Sequence, residues 1–264
     1  MITITDINDP RVQIFRSLKD GPNKLNPPLC IAEGEKVVRA AVQSGCRIHS
    51  LFAETHYIES NREFFAANGV SDDEIMIADR SLMTNIVGFA MHQGIMCTAE
   101  PKPFVDESDI TFPCLALNGL SDSENVGALV RVARAFGWRS MIIDSATVTP
   151  LMRRAVRVSM GTVFGMAIHR TEHLPTLLQQ LRRQSGAEIV GAEYTPTSDS
   201  LYTKDFARRT VLVVGSEGAG ISESVLAECT HVCHIPMHSS VPSLNVATAT
   251  SVLCSRYAMQ HGVD

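Results

Sequence analysis

Short apolar runs and helically spaced apolar stripes take turns along this chain. From Cys114 onward, runs at 114–118, 140–144, 163–168, 187–192, 210–215 and 231–235 predict strands. Helices are predicted between and after them, at about 124–136, 150–158, 174–184, 222–228 and 244–260. In the first of these helices Val126, Leu129, Val130, Ala133 and Phe136 form one stripe. Arg131 lies two residues past Leu129 and therefore off it. Ser121, Asp122 and Ser123 can cap that helix, and Ser243 is the expected cap of the last one. Strand–helix alternation implies an α/β fold with a mostly parallel sheet and helices on both faces. Such sheets bind ligands beyond the carboxyl ends of their strands.

The first hundred residues alternate in the same way on a smaller scale. Strands are predicted at 29–32, 48–53, 74–78 and 94–98, and helices at 34–43, 62–67 and 81–87. Val37, Val38, Ala41 and Val42 line one side of the first of these helices. Before them, Asp9-Pro10 opens a predicted helix through Leu18, and Gly21-Pro22-Asn23 breaks the chain. Residues 100–113 hold three prolines and four acids and read as a linker. The expected organisation is therefore a small α/β domain at 1–99, a linker at 100–113 and a larger domain at 114–264.

Composition narrows the class. Of 264 residues 45% are hydrophobic, enough for real cores, yet no apolar run approaches the ~20 residues of a membrane helix. The start, Met-Ile-Thr-Ile-Thr-Asp, lacks the basic and apolar regions of a secretory signal, so a cytoplasmic protein without a membrane partner is expected. Seven cysteines without a Cys-x-x-Cys pair suit reduced thiols. Cys229 and Cys233, beside His231 and His234, are read as small buried thiols, with no metal site expected. The net charge of −5 is unevenly spread. Residues 1–113 carry 10 basic and 16 acidic side chains, and residues 114–264 carry 13 and 12, with 12 of those 13 basic residues arginine. Arginine's planar fork suits phosphate.

Three segments carry candidate chemistry, each where a predicted strand gives way to a loop or helix. The first is Asn125-Val-Gly-Ala-Leu-Val-Arg131-Val-Ala-Arg-Ala-Phe-Gly137, with an amide at a helix start and two arginines on its exposed side. The second is Val214-Gly-Ser-Glu217-Gly-Ala-Gly-Ile-Ser222. Gly215, Gly218 and Gly220 permit a tight loop there. Its spacing matches neither a dinucleotide fingerprint nor a phosphate loop, and Glu217 would repel a phosphate while favouring a cation or a hydroxyl donor. The third is Ile235-Pro-Met-His-Ser-Ser-Val-Pro-Ser243-Leu-Asn245, a proline-bracketed loop running into a helix. His238 beside Ser239 and Ser240 is read as a loop residue rather than a catalytic base.

Together the three segments resemble the motifs of the SpoU (TrmH-like) family of S-adenosylmethionine-dependent RNA ribose methyltransferases. Arg157-Val-Ser-Met-Gly161 resembles the family's Arg-x-Ser-x-Gly stretch. Ala32-Glu33-Gly34-Glu35 and the helix after it resemble the L30e-like substrate-binding domain in front of many ribosomal RNA members. The resemblance implies a C-terminal trefoil-knotted sheet and a homodimer formed through it. It implies methyl transfer from S-adenosylmethionine to a ribose 2′-hydroxyl of RNA, ribosomal RNA favoured over transfer RNA, without a metal. Mapped onto this chain, it implies Gly215, Glu217, Gly218, Ile235, Met237, Ser243, Leu244 and Asn245 as the cofactor pocket. Arg131 would orient a phosphate and stabilise the forming alkoxide, Asn125 would position the hydroxyl or Arg131, Ser243 and Asn245 would fix the geometry, and Glu217 would belong to the catalytic set. Two other classes stay open at this point: a catalytically silent RNA-binding relative, and a nucleotide-cofactor enzyme on an ordinary doubly wound sheet.

Overall fold

The computed structural model describes residues 1–16, 29–91 and 93–263. The chain divides into two compact units, Met1–Lys102 with Leu151–Phe164, and Pro103–Pro150 with Gly165–Asp264. This differs from contiguous domains, because one segment inside the larger region groups with the smaller unit.

The first unit begins with β1 (Ile2–Thr3) and a 3-10 helix over Pro10–Phe15, shorter than the helix expected there. The rest of that expectation, through Leu18 and the turn at Gly21-Pro22-Asn23, lies outside the described residues. Then come β2 (Cys30–Glu33), α1 (Glu35–Gln43), β3 (Arg47–Ala53), α2 (Thr55–Ala67), β4 (Ile75–Ile77), α3 (Arg80–Val87) and β5 (Ile95–Glu100). The sheet order is β1-β4-β3-β5-β2, parallel over the first three and antiparallel at β3–β5 and β5–β2. Phe15, Phe52, Met83 and Met96 lie at the centre of a buried cluster there. Helix α2 contains the expected stretch 62–67 and begins at Thr55; its N-terminal half, Thr55 to Asn61, is mostly polar, with Ile58 its main buried apolar contact, and so shows no apolar stripe in the sequence.

The second unit has β6 (Cys114–Asn118), α4 (Ser123–Ala135) and β7 (Ser140–Asp144). Between β7 and the next strand runs the segment that groups with the first unit and contains α5 (Arg153–Val158). There follow β8 (Ala167–Thr171), α6 (Leu174–Ser185), β9 (Glu188–Ala192), β10 (Asp199–Ser200), β11 (Thr210–Gly215), α7 (Glu223–Leu226), β12 (His231–His234) and α8 (Val246–His261). Every pairing in the order β10-β12-β9-β11-β6-β7-β8 is parallel. One face, with Ala116, Ile142, Ile189, Val211 and Val213, packs under Leu177, Leu178 and Leu181 of α6 and Val225 of α7. Alternation sends Leu115, Leu117, Leu212 and Val214 to the other face, also buried, where α8 packs against β11 and α4.

One expectation needs correction here. The apolar run at 163–168 is not one strand: Thr162–Gly165 is a 3-10 helix and β8 begins at Ala167. Val163 and Phe164 are buried, but in the first unit, so their hydrophobicity reports that core and not the sheet. The stretch read as a linker is tied down at the second unit, where the Val105 N–H donates to Ile168 O at 2.8 Å and Ile110 joins the core. Among the described residues no helix is long and apolar enough to cross a membrane.

Candidate active site

The carboxyl ends of β6, β7, β9, β11 and β12 converge on one region, and all three segments reach it. After β11 the chain makes a tight loop. The Gly220 N–H donates to Ser216 O at 2.8 Å, closing it. A Cβ on Gly215 would lie 2.1 Å from the Gly220 backbone, so only glycine admits this closure. Gly220 itself holds φ +67°, a left-handed value suited to glycine. The exit of the loop is pinned to both flanking strands. Ile221 N–H donates to Glu193 just past β9 at 3.1 Å, and Ser222 N–H donates to Asn118 at the end of β6 at 2.8 Å. Asn118 in turn donates to the buried Asp144 at 2.8 Å, and Asp144 also takes the N–H groups of Gly119 and Thr147.

That loop carries Glu217. Its Oε1 accepts from Asn245 Nδ2 at 2.7 Å, from Asn125 Nδ2 at 3.3 Å and from Val246 N at 3.3 Å. Asn245 Nδ2 also donates to Asn125 Oδ1 at 2.9 Å. One residue from each segment thus meets in a single cluster. The amide orientations follow from the helix end: Asn245 caps α8, its Oδ1 accepting from Ala247 N at 3.0 Å and Thr248 N at 3.3 Å, so its Nδ2 must face Glu217. Asn245, not Ser243, is therefore the cap, and the helix begins two residues later than expected. Among the described residues no hydrogen bond reaches Glu217 Oε2.

Beside the cluster lies a cavity of about 1040 Å³. Gly215, Glu217, Gly218, Ile235, Met237, Ser243 and Leu244 line it, while Asn245 borders it through Glu217. The geometry also adds residues that sequence reasoning missed, among them Glu193, Tyr194 and His234. Each sits at or just beyond the carboxyl end of a predicted strand, the one signal available for them. Arg131 makes no hydrogen bond to the cluster among the described residues. It is exposed on α4 about 9 Å along the axis from Asn125. Asn125, on the same helix, is bonded to Glu217 and Asn245. No described residue bonds to Arg131, which leaves its guanidinium open to an external anion.

Of the seven cysteines, Cys233 is buried and Cys229 half-buried. Burial pushes the Cys233 and Cys229 thiols up to about 11. His231 lies 3.6 Å from Glu188 and 3.5 Å from Asp199, and His234 bonds Ser198 at 2.9 Å. Among the described residues no group of three His, Cys, Asp or Glu could hold a metal. His238 bonds Ser240 at 2.8 Å within its own loop.

The cavity fits a bulky cationic cofactor. It is at the upper end of the size range of ligand pockets. It offers glycine-exposed backbone and two carboxylates, and no Lys or Arg to hold a phosphate. Residues 113–255 match the SpoU rRNA Methylase family. The chain belongs to that family. Residues 31–105 match the RNA 2′-O ribose methyltransferase substrate-binding domain. An uncharacterised tRNA/rRNA methyltransferase of Mycobacterium bovis is 29% identical over 94% of this chain and 88% of its own length. A 23S rRNA (guanosine-2′-O-)-methyltransferase of Haemophilus ducreyi, RlmB, is 32% identical over 66% of this chain and 74% of its own. The crystal structure of an AdoMet-bound rRNA methyltransferase from Sinorhizobium meliloti superposes with a TM-score of 0.83 at 25% identity, covering 98% of both chains. This SpoU chain has the family's knotted C-terminal α/β fold and is an S-adenosylmethionine-dependent RNA 2′-O-ribose methyltransferase.

Proposed function

We propose that this SpoU enzyme methylates ribosomal RNA, as a homodimer in the cytosol, with the three-segment cluster as its active centre. The observation that carries the choice of RNA is the substrate-binding match at residues 31–105, in a chain similar over nearly its whole length to an rRNA methyltransferase. Charge supports it once the units are counted as they fold. With Leu151–Phe164 included and the three acids of residues 103–113 counted with the second unit, the first unit holds 13 basic and 13 acidic residues, so the acidic excess of the N-terminal sequence is gone. Arg157 of α5 is exposed, and Arg153 pairs with Glu33 at 2.7 Å. Arginines at such a surface suit an RNA backbone.

S-adenosylmethionine supplies an electrophilic methyl on sulfur. The residues lining the cavity, from Gly215 to Leu244, would hold it. Glu217, Asn125 and Asn245 fix the rim where the ribose must arrive. The unpaired Arg131 takes an RNA phosphate and stabilises negative charge growing on the 2′-oxygen as its proton passes to solvent water and the methyl group moves from sulfur to oxygen. The guanidinium acts here by charge and orientation, as a planar fork of donors, and not as a base.

Mapping ribose methylation across total RNA, with and without the gene, tests the substrate. One ribosomal position should lose its methyl group and regain it with the purified protein. Loss confined to transfer RNA would refute the ribosomal choice. Light scattering should return twice the 28.8 kDa protomer mass.

A further inference from the structure

The cavity contains a second carboxylate that none of the three segments supplies. Glu193 stands one residue beyond β9 and is half-buried. One oxygen accepts the Ile221 N–H at 3.1 Å, and the other accepts the Tyr194 N–H at 3.3 Å. A Cβ on Gly220 would come within 2.4 Å of its Oε2, so the carboxylate lies flush against the Gly215–Gly220 loop. Among the described residues no cation pairs with it. Backbone amides hold it, each oxygen retaining room for another donor. The basic side chains lining the cavity are two histidines, both engaged: His234 with Ser198 at 2.9 Å and His238 with Ser240 at 2.8 Å. The cavity is thus furnished with two negative charges and no fixed positive one.

We propose that Glu193 selects the charged methyl donor over the spent product. This rests on the cavity being the cofactor pocket. S-adenosylmethionine carries a sulfonium and an ammonium against one carboxylate. S-adenosylhomocysteine has lost the sulfonium charge and is neutral overall. The two differ by one methyl and one charge, so shape alone discriminates weakly between them. A carboxylate fixed in a partly closed cavity attracts the cationic form more strongly, because its field is less screened there than in bulk water. It does so without a compensating Lys or Arg. After transfer that attraction is lost, and the product leaves with less hindrance.

The test is calorimetric titration of the full chain with three ligands. They are S-adenosylmethionine, its product, and sinefungin, an analogue that carries an ammonium in place of the sulfonium. Glu193→Gln keeps an acceptor for the Ile221 N–H and removes the charge. Both cationic ligands should weaken by about tenfold in this variant while the product stays within about twofold. Glu193→Asp restores the charge and should restore the preference. If Glu193→Gln does not fold, the wild type is titrated at rising salt, which should weaken the cationic ligands and spare the product. Equal weakening of all three ligands in Glu193→Gln would make Glu193 a loop latch only and overturn the proposal, as would an unchanged preference. Failure of the wild type to bind any of the three would instead remove the cofactor assignment of the cavity, and the proposal with it.

Discussion

Asn245 does two jobs with one side chain, and substitution can separate them. Its Oδ1 caps α8, and its Nδ2 bonds Glu217 at 2.7 Å and Asn125 at 2.9 Å. Alanine removes both. Losing a cap costs about 1 kcal/mol, and losing a hydrogen bond to a carboxylate at this exposed position costs about 1–2 kcal/mol. Serine is a cap of similar quality but cannot reach across to Glu217. Asn245→Ser should therefore lose about 1–2 kcal/mol in a urea titration, about 1 kcal/mol less than Asn245→Ala, while methyl transfer falls about tenfold or more. Asn245→Asp should cap α8 well too, yet places a carboxylate oxygen against Glu217 Oε1, where the two negative charges repel. Its activity should be the lowest of the series, and its affinity for the methyl donor should change as the cluster rearranges. The assay is transfer of labelled methyl to RNA, read beside the unfolding midpoint. Full activity in Asn245→Ser would show that the cluster is only a helix cap, and the reasoning would fail.

Arg131→Ala should abolish transfer while the affinity for S-adenosylmethionine, measured by calorimetry, stays within about threefold, because no cavity-lining residue is touched. Surviving activity would remove Arg131 from the mechanism. Gly215→Ala should cost about 1–3 kcal/mol and weaken cofactor binding, since its Cβ meets the Gly220 backbone at 2.1 Å, whereas Gly218→Ala, with open space around it, should leave the melting temperature unchanged. Equal melting temperatures for the two variants would contradict this. Glu188 is opposed by burial, yet the Ala207 N–H and the buried Lys204 hold its carboxyl below the ordinary value. A folded-state pKa below the unfolded one stabilises above the ordinary carboxylate range and loses that effect as pH falls through the lowered value. Acid unfolding curves should therefore be steeper for wild type than for Glu188→Gln, and parallel curves would argue against the pairing.

The strands that build the centre of the sheet were legible from hydrophobicity alone. The runs 114–118, 140–144 and 210–215 coincide with β6, β7 and β11, because strands buried on both faces are apolar throughout. The run at 163–168 misled for the same reason, since apolarity records burial and not which core does the burying. The acidic first lobe was likewise an artefact of reading in order, as α5 with its three arginines groups with that unit and Asp106, Glu107 and Asp109 group with the other.

What the sequence determined by itself was local and chemical. It set the strand–helix alternation, the amide, carboxylate and guanidinium available at each strand end, and the family motifs. What only tertiary structure decided was which of these meet. Asn125 and Glu217 are 92 residues apart and Asn125 and Asn245 are 120 apart, so their contact depends on the parallel order of β9, β11 and β6 and on the return of the chain after β12. The same order brings Glu193 into the cavity. A hydrogen bond acts over about 3 Å, and sequence spacing carries no such information once the chain has crossed the sheet.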